Sequence, residues 1–157
     1  MDKITPFLWF DSEAVEAAEF YTGIFANSRI TDTTYAGEGG MLPAGSVLTV
    51  TFELDGRSFV ALNGGPHHTF NDAISFHVGG EDQAEVDRLW EALTDGGKEV
   101  ECGWLKDRYG VSWQVVPSVL HEMLGDDDPN KVQAVTTAML GMVKIDIATL
   151  REAYDGA

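Results

Sequence analysis

Cysteine is almost absent from this chain of 157 residues, which contains only Cys102. A single thiol can form no intramolecular disulfide and cannot supply a zinc–thiolate cluster. Because disulfides mark oxidising compartments, a lone cysteine fits a cytoplasmic location. No basic neighbour in the sequence would activate Cys102, so we expect an unreactive thiol.

Basic residues are also scarce, with 10 Lys and Arg against 26 Asp and Glu and a net charge of −16. Such a charge repels phosphate backbones and anionic lipids, which argues against nucleic-acid and membrane-surface partners. No apolar run approaches the roughly 20 residues of a membrane span. The first residues, MDKITPFLWF, do not resemble a secretory signal. A small neutral or cationic ligand remains compatible with this composition.

The pattern of the first half predicts one strand, one helix and three further strands. Asp11 or Ser12 is placed to cap the helix. Asp55 and Gly56 form a strong hairpin signal, because type I′ turns need positive φ angles. The predicted strands are Ile4–Phe10, Arg29–Tyr35, Val47–Leu54 and Arg57–Asn63.

The second half repeats this order without detectable identity to the first. The predicted elements are a strand Asp72–Val78, a helix Glu81–Thr94, and strands Glu99–Leu105 and Val111–Val116. We align the two halves by pairing Pro6 with Ala73, 67 residues apart. The order of a strand, a helix and further strands therefore occurs twice, in pattern only.

The chain after Pro117 is predicted to be helical. Val119–Leu124 has the pattern of a helical turn, Pro129 suits a first helical position, and Asp146 can cap a last helix. The acidic run Asp126–Asp128 is expected to cap a helix, with metal binding as the alternative. We expect three segments: residues 1–66, 67–117 and 118–157.

Three stretches of the sequence resemble one known family. They read ITPFLWFDSEAVEAAEFYTGIFANSRI, FVALNGGPHHTFNDAISFHV and CGWLKDRYGVSWQVVP. They are similar to the PhnB-like branch, labelled 3-demethylubiquinone-9 3-methyltransferase, of the vicinal oxygen chelate superfamily. That superfamily includes glyoxalase I, extradiol dioxygenases and bleomycin-resistance proteins. The likeness covers nearly the whole chain, including the tail. It implies an α+β fold in which two βαβββ modules form an open, incomplete barrel, followed by C-terminal helices.

The resemblance also implies where a metal would be held. Matched residue by residue, the superfamily's ligand positions fall on Pro6, Ala73 and Gln114, with a further one near Ala61. Proline and alanine have no ligating side chain, and a neutral amide is a weak donor for transition metals. We therefore expect that the usual metal centre is missing and that no cofactor is bound.

The remaining residues of the expected concave face suggest a small-molecule site, apolar with a few polar groups. His77 is the candidate catalytic residue, because its ordinary pKa of about 6.5 permits proton transfer near neutrality. The alternative is a histidine that only packs and hydrogen-bonds locally. Trp9, Trp90 and Trp113 are expected in the core beneath the helices. The candidate ligand-binding residues are Leu8, Phe10, Phe59, Asn63, Ser75, His77, Ser112 and Gln114.

Three functions compete at this point. The first is binding of a small molecule without a metal, by a homodimer as the resemblance implies. The second is a lyase, isomerase or dioxygenase whose displaced metal site uses His67, His68 or His77. The third is the methyltransferase of the family label, which lacks support because no glycine-rich turn joins a strand to a helix.

Overall fold

The computed structural model describes residues 1–157 as two compact units, Met1–Thr69 and Phe70–Ala157. The first unit has four strands in the order β1-β4-β3-β2, with β1 parallel to β4 and the other pairs antiparallel. Its elements are β1 (Phe7–Phe10), α1 (Ala14–Ile24), β2 (Arg29–Tyr35), β3 (Val47–Leu54) and β4 (Arg57–Asn63).

The helix α1 covers one face of this first sheet. Phe52 and Phe59 are cross-strand partners in β3 and β4, and their rings stack with centroids 5.6 Å apart. Tyr21 of α1 stacks on Phe52 in turn, and all three side chains are buried. The predicted turn at Asp55 and Gly56 has φ angles of 48° and 75°, which permits the tight β3–β4 hairpin.

The second unit repeats the topology, with strand order β5-β8-β7-β6 and β5 parallel to β8. Asp82 caps its helix by accepting a hydrogen bond from the backbone N–H of Glu85. Val86, Leu89 and Leu93 form the buried stripe of that helix. The elements are β5 (Phe76–Gly80), α2 (Gln83–Thr94), β6 (Lys98–Glu99), β7 (Trp104–Lys106) and β8 (Ser112–Pro117).

Three further helices complete the second unit: α3 (Ser118–Leu124), α4 (Pro129–Leu140) and α5 (Ile147–Asp155). Asp128 caps α4, and Asp146 caps α5 as the sequence predicted. The helices enclose a small apolar core that also receives one residue of β8. Its buried members are Val116, Leu120, Met123, Val135, Ile145 and Leu150.

Two strand predictions need correction. The segment predicted to begin a strand at Asp72 is a turn in which Asn71 accepts a hydrogen bond from the N–H of Ala73, so β5 begins at Phe76. The predicted strand Glu99–Leu105 is interrupted because Cys102 and Gly103 have φ angles of 59° and 81°. Their N–H groups donate to the carbonyls of Met142 and Val143, contacts that no local pattern reveals.

The predicted α+β class and the repeated βαβββ order are confirmed. Both sheets are open and mixed, and neither closes into a barrel. None of the five helices combines the length and the apolarity that a membrane crossing requires.

Candidate functional site

The candidate site lies on the side of the second sheet opposite α2, which we call the distal face. A Cβ built on Gly80 would lie 2.9 Å from Val86 of α2, so Gly80 faces the helix. Side chains alternate along a strand, so His77 points to the distal face. The register pairs His77 with Gln114, which places Gln114 and Ser112 there too.

A short polar strip runs across this distal face. The side-chain amide of Gln114 donates a hydrogen bond to the hydroxyl of Ser75, 2.8 Å away. The hydroxyl of Ser112 is buried and has no hydrogen-bond partner. Buried polar groups are normally paired, so this hydroxyl marks a place where a hydrogen-bond partner is missing. Trp104, the cross-strand partner of Gln114, adds an aromatic surface.

His77 is exposed on the distal face and has a partner that sequence reasoning missed. Its Nε2 atom lies 3.1 Å from Nε2 of His121 on α3. Desolvation lowers the pKa of His77 below its ordinary value, and the nearby His121 lowers it further. A backbone hydrogen bond raises this pKa, but by less. His77 is therefore biased toward the neutral form, which can accept a proton.

The position of α3 explains this pairing. The helix starts directly after β8, and its Leu120 packs with Val116, a distal-face residue of that strand. The helix therefore returns over the end of the distal face and brings His121 to His77. The only sequence signal was the presence of a histidine in the helical tail.

The candidate residues of the first unit lie on the opposite side from the one expected. Phe59 stacks with Phe52 beneath α1, and the β1–β4 register puts Leu8 and Phe10 on the same side. All three are buried core residues under the helix. The prediction that they share an open concave face is wrong.

The error comes from the alignment of the two halves. Phe10 and Gly80 end β1 and β5, both face their helices, and they are 70 residues apart. The predicted offset of 67 instead pairs Phe10 with His77, which faces away from its helix. Because side chains alternate between the two faces of a strand, an alignment error of three residues assigns every side chain of the first half to the wrong face.

Asn63 has a structural role in the first unit. Its side-chain oxygen accepts the N–H of Ala14, the first residue of α1, at 2.9 Å. Its amide nitrogen donates to the carbonyl of Val47, at 3.1 Å. The residue thus satisfies one of the unpaired donors at the start of the helix and fastens it to the sheet.

Trp9 was also misplaced by the same slip, since it lies on the face opposite α1. Its indole N–H donates to the carbonyl of Gly65, and the His68 ring meets it edge-on with centroids 4.7 Å apart. A Cβ on Gly64 would lie 2.2 Å from the indole ring, so only glycine fits there. The prediction for Trp90 and Trp113 is confirmed, because both are buried in the α2 layer.

The residues at the implied metal positions do not fit a metal centre. Pro6 precedes β1, Ala73 lies in a turn, and Ala61 is buried on the α1 side. The face of β1 and β4 opposite α1 offers no better metal ligands. Its side chains are those of Phe7, Trp9, Ser58, Val60 and Leu62. The chain has no group of three or more His, Cys, Asp or Glu side chains that could hold an ion. We derive no chemistry through such an ion.

A cavity of about 220 Å³ lies among the C-terminal helices. At its edge the Tyr154 hydroxyl donates to Asp126, which lowers the pKa of Asp126 and raises that of Tyr154. The Lys131 ammonium lies 4.1 Å from the centre of the Tyr154 ring. The lining residues are Val119, Glu122, Met123, Arg151, Tyr154 and Asp155.

Comparison with solved structures identifies the class of fold. The fosfomycin resistance protein FosX from Listeria monocytogenes is 14% identical, with a TM-score of 0.52 over 78% of this chain and 97% of its own. PA1353 from Pseudomonas aeruginosa is 21% identical, with a TM-score of 0.61 over 74% and 98%. At such identity these likenesses show the fold, which is that of glyoxalase and bleomycin-resistance proteins.

A closer relative identifies the family. The PhnB protein from Bacillus cereus, described as a 3-demethylubiquinone-9 3-methyltransferase, is 35% identical with a TM-score of 0.68. The match covers 74% of this chain and all of that chain. The model of the family described as 3-demethylubiquinone-9 3-methyltransferase matches residues 2–116. The chain therefore belongs to this PhnB-like family of the vicinal oxygen chelate superfamily. A comparison with curated proteins finds no match.

The family match ends at Val116. The expectation that the likeness includes the tail is therefore not met, and α3, α4 and α5 lie outside the matched region. His77 belongs to the family part of the chain, whereas His121 belongs to the added helices.

Proposed function

We propose that this chain is a small-molecule-binding protein that uses the distal face of its second sheet and lacks the superfamily's usual metal. The observation that carries the proposal is the half-buried amide of Gln114, which Ser75 holds in place beside Trp104. Small-molecule sites combine apolar surface with a few fixed polar groups, and this face has both.

The chemistry of the face indicates the kind of ligand. The hydrogen bond from Gln114 to Ser75 fixes the amide and leaves its oxygen free to accept. Trp104 supplies an aromatic surface beside Gln114. These groups suit a compact neutral molecule with an apolar or aromatic body and a hydrogen-bonding substituent.

Two broader features belong to the same proposal. We propose a homodimer, as the family resemblance implies. We also propose a cytoplasmic location, which the single cysteine supports. Any reaction at the site would use the exposed His77 as its proton acceptor.

The family description names methyl transfer, but the chain offers no usual cradle for S-adenosylmethionine. The segment Asp11–Glu13 that joins β1 to α1 contains no glycine. The glycines at 37, 39 and 40 lie between β2 and β3, where no helix follows. The glycine-rich strand-to-helix turn of nucleotide-type cofactor sites is therefore missing.

Native mass spectrometry of the full chain tests the proposal. We expect the purified protein to carry a small-molecule adduct that is lost on denaturation. Replacing Gln114 by Leu should lower the retained fraction roughly tenfold, since a lost hydrogen bond to a ligand costs about 1–2 kcal/mol.

Gln133→Leu is the matched control, because Gln133 is exposed on α4 and bonds only to Thr137 there. This variant should retain the adduct at the level of the unmodified protein. An adduct that persists equally in both variants, or no adduct in any protein, would contradict the proposal.

A further inference from the structure

Two histidines meet on the distal face, and the proposed binding of a small molecule does not depend on their pairing. His77 comes from β5 and His121 from α3, so each imidazole is carried by a regular element. Both side chains are exposed, and both belong to the unit Phe70–Ala157. Their Nε2 atoms are 3.1 Å apart, within hydrogen-bond distance, and the ring centroids are 5.1 Å apart, so one ring N–H can donate to the other ring nitrogen.

This separation suits two ligands of one ion. With metal–nitrogen bonds of about 2.0–2.1 Å, nitrogens 3.1 Å apart subtend roughly 98° at the ion. That angle falls between the values for square-planar and tetrahedral coordination. The two nitrogens are therefore spaced as in a bis-imidazole chelate, and a bound ion would take the place of the proton that the two rings share.

The exposure of the pair and the charge of the chain favour a cation. Both histidines are exposed, so an ion in solution can reach the ring nitrogens. Imidazole nitrogens suit copper, nickel and zinc, and a net charge of −16 raises the local concentration of cations. No carboxylate joins the pair to make a set of three, so the other coordination positions stay open to water.

We propose that His77 and His121 form a two-histidine site for a divalent transition-metal ion, with Cu²⁺ bound more tightly than Zn²⁺. The site differs from the superfamily's usual metal centre, because none of the positions at Pro6, Ala61, Ala73 and Gln114 contributes to it. Its ion is held between the family-matched sheet and the added helix α3.

Titration of the full, untagged chain with CuCl₂ and with ZnCl₂, followed by isothermal calorimetry, tests the inference. We expect one ion per chain, with Cu²⁺ tighter than Zn²⁺ as the Irving–Williams order requires. His77→Gln and His121→Gln should each weaken binding by at least about tenfold, a loss that even outer partners of metal ligands produce. The electron paramagnetic resonance spectrum of the Cu²⁺ protein should show coupling to two nitrogens.

His67→Gln is the matched control, since His67 lies in the first unit and outside the pair. It should bind both ions as the unmodified chain does. Circular dichroism melting shows whether each variant is folded, and single substitutions at exposed positions are expected to preserve the fold. Equal binding by the His77→Gln and His121→Gln double variant, or loss of binding only in His67→Gln, would overturn the inference.

The inference is independent of the proposed small-molecule function. The metal titration uses protein without an added organic ligand, and the mass-spectrometric test needs no metal. A failed titration therefore leaves the proposed function standing, and the reverse holds as well.

Discussion

At the scale of single residues, Asn63 shows that a polar side chain at the end of a strand can serve the fold. The sequence placed it among the candidate ligand-binding residues because amides are common in such sites. Its two side-chain atoms are already occupied by Ala14 and Val47. No local pattern announces this, because both partners are distant in the chain.

We predict that Asn63→Ala lowers the free energy of unfolding by about 1–3 kcal/mol, because it removes a helix cap and leaves a part-buried carbonyl unpaired. Urea denaturation monitored by circular dichroism measures this. Asn130→Ala, at an exposed position in the first turn of α4, should change it by less than about 0.5 kcal/mol. Equal effects of the two changes would show that Asn63 has no special role.

Residue-level prediction succeeded where one sheet face was assigned correctly and failed where it was not. His77, Ser112 and Gln114 share the distal face as expected, whereas Leu8 and Phe10 lie under α1. The hydrophobic alternation was correct in both halves. Alternation could not show which side of β1 faces the helix, because every residue of this short strand is apolar.

At the scale of elements, the sequence specified strands well wherever turn chemistry was local. β2, β3 and β4 have the predicted bounds, and their central hairpin turns at Asp55 and Gly56. The strand Glu99–Leu105 was predicted as continuous, because the interruption between β6 and β7 depends on the distant Met142 and Val143. The path of α3 over the distal face could not be predicted from the sequence either, because it depends on packing with α4 and α5.

The contact between β5 and α3 predicts a pH dependence of stability. The pKa of His77 is lowered in the folded state, so between that pKa and about 6.5 the unfolded chain binds more protons. Stability should therefore fall as the pH drops below about 6.5. Two protonated imidazoles at this distance also repel each other.

Urea denaturation across pH 5–7 measures this effect as a difference between variants. We expect His77→Gln to show a shallower loss of stability on acidification than the unmodified chain, and His67→Gln to keep the full loss. Carboxylates contribute the same background in all three proteins, so subtraction isolates the pair. A steeper loss in His77→Gln would refute the assignment.

At the scale of the whole molecule, charge decides how copies can associate. Each chain carries −16, and its ion pairs Arg29–Glu53, Arg108–Asp95 and Lys144–Asp87 are all at least partly exposed. Two copies that meet must overcome this repulsion, which is screened beyond about 8–10 Å at ordinary ionic strength. Several large apolar side chains are exposed, among them Phe7, Ile74 and Leu140.

We predict a dimer by size-exclusion chromatography with light scattering in about 0.15 M NaCl, where the Debye length is about 8 Å. The dimer should dissociate more readily in about 0.01 M NaCl, where it is about 30 Å. Sucrose added at low salt is the control. Because it is uncharged and does not screen charges, it should not restore the dimer. A monomer at every salt concentration would exclude the proposed homodimer.

The junction between β8 and α3 contains no linker. Pro117 ends the strand and occupies the N-cap position of the helix, so β8 passes into α3 with no residue between them. A molecule that tilts the strand by pressing on Gln114 would swing the helix as well and alter the gap between the two imidazoles. The distance between the two imidazoles would then change when a ligand binds at Gln114, and imidazole NMR chemical shifts would report that change.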